Sequence, residues 1–284
     1  MNMNLVQKFL NREIASLESL ARNRNRSSAY MQSRLKKSRE MFISTTPWPV
    51  TPLGQLIMIA DAVIEYIENQ WRAVYLMLVR PVDGTEAVIL PPFMVDGTET
   101  APGWKAAINS LPLTVKKRVI ALICDGHVGL LAEAKRHNWL LQRCHFHLLA
   151  RIQSRRSRWK IARHKVEAGN IFHHVRRVLE HPNGNQLEKS LMALKGIGEI
   201  STSPEIRKVL SGFVRNFKDY RAYLKYPYLH LPTTNNTAES LASSIGDLKH
   251  RMRGFPTLDS FSRWIIALLK FKKKIKCNGF YQQN

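Results

Sequence analysis

Asp61 and Asp125 are the residues whose setting asks for chemistry. Aspartate is scarce in this chain, and these two follow apolar runs, residues 56–60 and 117–124, of the kind that form buried strands. A carboxylate at the tip of a buried strand is costly unless it is paired or bound to metal. If the two strands are neighbours, both carboxylates converge at one end of the sheet and repel each other. A divalent cation relieves that repulsion. Hard oxygen donors select Mg²⁺ or Mn²⁺. Two such ions activate a water or a 3′-hydroxyl and stabilise the leaving oxygen of a phosphodiester. Plainer roles stay open on the residues alone. Asp125-Gly126 is a turn dipeptide like Asp83-Gly84 and Asp96-Gly97, and Asp61 could pair with one of many arginines.

A third carboxylate, Glu239, lies in Thr233-Thr234-Asn235-Asn236-Thr237-Ala238-Glu239, which opens a helix. Asn236 and Glu239 have capping-box spacing, with Asn236 as N-cap and Glu239 reaching back to its N–H. A carboxylate held in a first helical turn is also rigid enough to bind metal, so the two readings are compatible.

These residues need a scaffold. Residues 4–42 have helical periodicity and a basic stretch, expected as one or two helices, and Pro47, Pro49 and Pro52 mark a boundary behind them. Strands are predicted at 56–60, 71–79, 87–95, 117–124 and 139–144, and helices at 103–110 and 129–137. From 147 to about 230 the pattern is helical, followed by a helix from Asn236 toward Met252 and a basic amphipathic one at 258–274. A mixed sheet with helices on its faces accounts for this order, an α/β fold. The divisions read as a basic helical segment (1–45), the first part of a core (54–147), a helical insertion (148–230), and a terminal helix with a basic tail (231–284).

Charge names the partner. Lys and Arg number 44 against 21 acidic residues, a formal net charge of +23. Such an excess suits a polyphosphate partner. The apolar runs are too short to span a bilayer, and no secretory leader is evident. Cys124, Cys144 and Cys277 are too widely spaced for a disulfide framework. A reducing cytoplasm is therefore expected, with the protein on the nucleoid. Candidate phosphate contacts cluster at Arg151, Arg155, Arg156, Arg158, Lys160 and Arg163, and again at Lys249, Arg251 and Arg253.

Cys124-Asp125-Gly126-His127-Val128-Gly129-Leu130, followed by Gln142-Arg143-Cys144-His145-Phe146-His147, resembles the second-aspartate region of bacterial Mutator-like insertion-sequence transposases. Thr233 to Glu239, with Arg251 to Pro256 behind it, resembles that family's Glu-bearing helix and its tail. The resemblance implies an RNase H-like catalytic domain with an all-helical insertion before the last catalytic helix. It also implies a DDE triad of Asp61, Asp125 and Glu239 holding two Mg²⁺ (or Mn²⁺) ions, and cleavage and strand transfer of double-stranded DNA by a homo-oligomer. Gly126, Gly129, Cys144, His147 and Asn236 form the supporting motif. A structural zinc on Cys144 and His147 lacks a second pair of ligands. The resemblance instead implies a Cys-x-x-His motif beside the active site, where His147 orients a carboxylate or contacts DNA. Only 60 residues precede Asp61, without cysteine. A truncated frame acting only as a DNA-binding protein, or a hydrolytic nuclease, are the alternative expectations.

Overall fold

The computed structural model describes residues 4–14, 16–157 and 165–277. Three helices lead: α1 (Leu5–Leu10), α2 (Leu17–Asn23) and α3 (Ser28–Thr45). An antiparallel meander follows: β1 (Leu56–Ile67), β2 (Gln70–Pro81), β3 (Glu86–Ile89) and β4 (Phe93–Asp96). Then come α4 (Ala101–Asn109), α5 (Leu113–Lys116), β5 (Val119–Cys124), α6 (Val128–Arg136) and β6 (Leu140–Arg143). A helical stretch holds α7 (His145–Ser157), α8 (Lys165–Glu180), α9 (Asn185–Ile200), α10 (Pro204–Asn216) and α11 (Ala222–Lys225). The chain closes with α12 (Asn236–Arg251), α13 (Leu258–Lys272) and β7 (Lys274–Lys276).

The seven strands form one mixed sheet in the order β6-β5-β1-β2-β3-β7, with β4 also pairing β2. β5 lies parallel to β1 on one side and to β6 on the other, while β1 and β2 are antiparallel. The mixed α/β sheet flanked by helices is the class expected from the sequence and is consistent with an RNase H-like fold.

Strand alternation divides the core in two. Ile57, Ile59, Ala121 and Ile123 face α12 and α13, burying against Ala238, Leu241, Ile245 and Trp264. Met58, Ala60, Leu122 and Cys124 face α4 and α6, against Trp104, Ile108 and Leu130. The helices after β6 bury a third set around Ile171, Val175, Leu194 and Phe213. Gln142, fully buried in β6, ties those helices to the sheet: its amide Nε2 donates to the Tyr220 carbonyl (3.0 Å) and its Oε1 accepts from the Tyr223 N–H (3.0 Å).

Three sequence expectations need correction. The first strand does not end at Asp61. It runs on to Ile67, because residues 62–67 pair in full with β2 through a tight turn at Glu68 and Asn69, both with positive φ. The single strand expected over 87–95 is two strands, since Pro91 and Pro92 interrupt the run between β3 and β4. The leading segment holds three helices rather than one or two. It packs on the core, with Val6, Phe9 and Leu10 joining the α12–α13 face and Phe9 meeting Trp264 at 5.5 Å between ring centroids. The basic tail predicted over 258–274 also includes Lys270, which is buried and donates to the carbonyls of Ile43 (2.7 Å) and Thr46 (2.6 Å).

Candidate active site

The parallel pairing of β1 with β5 matches Met58 to Leu122 and Ile59 to Ile123. Asp61 lies two residues beyond Ile59 and Asp125 two beyond Ile123, just past the end of β5, and the Asp61 carboxyl feels the charges of both Asp125 and Glu239. Asp61 and Asp125 share the face of Ile59 and Ile123, against which α12 packs. Glu239 follows Ala238, a core residue of that packing, and lies in the first turn of α12. Strand alternation and helix docking thus direct all three carboxylates to one end of one face of the sheet.

Asp61 and Asp125 are fixed locally. Asp61 Oδ1 accepts from the Ala62 N–H (2.9 Å), and Oδ2 accepts from Asn235 Nδ2 (3.2 Å). Asp125 Oδ1 accepts from the His127 N–H (2.8 Å) across a turn whose centre, Gly126, has φ +98°. His127 in turn caps α6, its Nδ1 accepting from the Gly129 N–H (3.1 Å). Gly129 lets α6 approach α4 closely: a Cβ there would lie 2.8 Å from Ala101 Cα. Burial pushes the Asp61 carboxyl up to about 7, helped by the Asp125 and Glu239 carboxylates and opposed by the Ala62 N–H and His147. Glu239 is also raised by burial, with His147 opposing.

The Cys-x-x-His motif sits against this cluster. Cys144 continues the β5–β6 ladder, donating its N–H to the Cys124 carbonyl (2.8 Å), and His145 N–H donates to the Thr233 carbonyl (2.8 Å). Cys144 Sγ accepts from the Asn235 N–H (3.4 Å). These bonds latch residues 233–235 onto the end of the sheet. Burial raises the Cys144 thiol to about 11. His147 Nδ1 stands 3.3 Å from Glu239 Oε1, a close contact without hydrogen-bond alignment, for both atoms are buried with no hydrogen-bond partner. The ligand atoms of Cys144, His147 and Glu239 lie within 4.8 Å of one another, three groups where a structural zinc takes four.

The latch corrects the capping box. Asn235, not Asn236, is the N-cap residue of α12, and Asn236 is the exposed first residue of the helix. Asn235 makes no side-chain cap, because its buried amide turns to Asp61 instead. The sequence offered two adjacent asparagines. Only the bonds from Cys144 and His145 decide which of them faces inward.

A family model described as "Transposase, Mutator family" matches residues 56–275. The chain belongs to the Mutator family of transposases. None of the curated proteins compared with it matches. In this Mutator-family chain the matched segment spans β1 to β7 and so includes all three carboxylates, the Cys-x-x-His motif and the helical stretch between them.

The candidate phosphate contacts fall into two groups. Arg151 is exposed on α7, whereas Arg158, Lys160 and Arg163 and the side chains of Arg155 and Arg156 lie outside the described residues. At the end of α12, Lys249 pairs with Glu65 and exposed Arg253 with Glu18 (2.9 Å). Arg251 is mostly buried, bonded to Asp247 (3.1 Å) and to the Phe9 carbonyl (2.6 Å), with its guanidinium 4.9 Å from the Phe9 ring. That arginine joins α12 to α1. Among the described residues no helix is long and apolar enough to cross a membrane.

Proposed function

We propose that this Mutator-family transposase is a DDE enzyme that cleaves DNA at the ends of an insertion sequence and joins the ends to target DNA, with Asp61, Asp125 and Glu239 as its catalytic carboxylates. The observation that carries this reading is the convergence of the three on the α12 face of the sheet, from strands and a helix far apart in sequence. The donor set suits hard divalent cations. Glu239 Oε1 and Asn235 Oδ1 are buried acceptors with no hydrogen-bond partner, and Asp61 takes its ionised form only at a cost that a cation would offset.

Asp61, Asp125 and Glu239 would hold two Mg²⁺ or Mn²⁺ ions. When bound, such ions make a water or a 3′-hydroxyl nucleophilic and stabilise charge at the phosphorus. The chain's own residues pre-position that machinery. Asn235 and the Ala62 N–H fix both oxygens of Asp61, the Gly126 turn aims Asp125, and His147 keeps a positive or dipolar group beside Glu239. The net charge of +23 supports a DNA partner, and a homo-oligomer that pairs the two element ends on the nucleoid belongs to the same proposal.

The test is strand transfer. Purified chain is mixed with 3′-OH DNA from the flanks of its own gene, a supercoiled target plasmid, and Mg²⁺ or Mn²⁺, with Asp125→Asn alongside. Joined product from the wild type alone is expected. Joining by Asp125→Asn at the wild-type rate would remove that carboxylate from the reaction. Nicking without joining would mark a hydrolytic nuclease, and tight, salt-sensitive binding without chemistry a DNA-binding remnant.

A further inference from the structure

Arg143 ends β6, paired with Cys124, the residue before Asp125. Its side chain is 9% exposed. The guanidinium lies between the Gly126 backbone and the Tyr220 ring: a Cβ on Gly126 would stand 2.3 Å from one of its Nη atoms, and the ring centroid is 4.7 Å from its Cζ. It is therefore pressed against the turn that carries Asp125.

Among the described residues Arg143 makes no ion pair and no hydrogen bond, and its Nε is buried and unpartnered. The Asp219 carboxylate feels its charge, but from beyond ion-pair distance. An unpartnered buried Nε is not peculiar to Arg143, since Arg72 has one too, but Arg80, deeply buried near the sheet, has its Nη atoms occupied. It donates to the carbonyls of Val82, Gly84 and His230. Buried charges are ordinarily paired, and a buried donor left open calls for a reason. Stacking on Tyr220 offsets part of the cost but consumes no N–H. An anion brought by a ligand would satisfy the rest.

We infer that Arg143 binds a non-bridging oxygen of the DNA backbone, at or next to the phosphate presented to Asp61, Asp125 and Glu239. The inference rests on the reading of those carboxylates as the DNA-cutting site. The planar fork of arginine matches two phosphate oxygens, and a lysine ammonium does not reproduce that geometry. Arg143 thus anchors the strand, and Gly126, which lacks a Cβ, leaves the guanidinium room against the Asp125 turn.

The experiment measures DNA affinity of the full chain by fluorescence anisotropy over a salt series with Mg²⁺ present, for wild type, Arg143→Gln and Arg143→Lys. Thermal melting of each variant and strand transfer by Asp125→Asn run in parallel. Arg143→Gln is expected to lose roughly tenfold in affinity and to lower the slope of log K against log salt by about one. Arg143→Lys is expected to keep the slope but to lose about threefold or more in affinity, because the charge remains and the fork does not. A packing role alone would lower the melting temperature and leave the slope untouched. An unchanged slope in a folded Arg143→Gln protein overturns the proposal. Wild-type affinity in Arg143→Lys overturns it too, and decides the matter if the Gln variant does not fold. Asp125→Asn separates the two readings. Its joining DNA normally removes the catalytic reading, whereas a dead Asp125→Asn with an unchanged Arg143→Gln slope removes only this inference.

Discussion

Asn235 Nδ2 donates to Asp61 Oδ2 at 3.2 Å, joining the residue before α12 to the middle of β1 across 174 positions of sequence. The bond makes the orientation of one candidate carboxylate depend on the docking of the helix that carries another. Replacing Asn235 with alanine is expected to lower strand transfer at least tenfold, whereas Asn236→Ala, at an exposed position, should change it little. Equal losses from both variants would show that the inward amide has no special part.

Asp61 gives a stability signature in the metal-free protein. Its carboxyl titrates at about 7 in the fold and near 4 when unfolded, so the folded state holds more protons between those values. Stability therefore falls as pH rises from about 4 to about 7, by an upper bound of roughly 4 kcal/mol. In EDTA, wild type should lose melting temperature relative to Asp61→Asn between pH 5 and pH 8 (roughly this window), and Mg²⁺ should restore part of the loss in wild type only. Parallel melting curves for the two proteins at all pH values would rule out the buried carboxyl as the cause.

Gly126 adopts φ +98° and has the Arg143 guanidinium where a Cβ would go. Gly126→Ala combines backbone strain with that collision, at a cost of about 2 kcal/mol or more. A urea melt should report the destabilisation, and the Asp125 turn should lose its function with it. A variant as stable as wild type would mean that the turn relaxes freely.

Arg251 anchors the leading helices. Removing its bonds to the Phe9 carbonyl and Asp247 in Arg251→Met should destabilise the fold by about 1–3 kcal/mol. Arg253→Ala, whose partner Glu18 is on the surface, should cost less than about 1 kcal/mol. Chemical denaturation of both variants compares the two directly, and the reverse ranking would contradict the burial argument.

The sequence by itself determined the class of fold and the candidate carboxylates. Apolar runs ending near charged residues, turn dipeptides and helical periodicity are local signals, and they fixed the order of elements around Asp61, Asp125 and Glu239. Other features depended on contacts between distant segments. Pairing with β2 carried β1 past Asp61, since a strand's length is set by the partner it finds as much as by its own residues. The leading helices joined the core because Phe9 and Leu10 found α13 and α12, which lie some 250 positions away. Two adjacent asparagines are indistinguishable in a local pattern. The latch from Cys144 and His145 turned Asn235 inward and left Asn236 in solvent. Arg143 stood in plain view within its motif, but its buried, unpartnered Nε exists only once β6, the Gly126 turn and Tyr220 have come together. Burial and hydrogen-bond completion are properties of the assembled chain, and they decide which of the residues named by the sequence are free to meet a ligand.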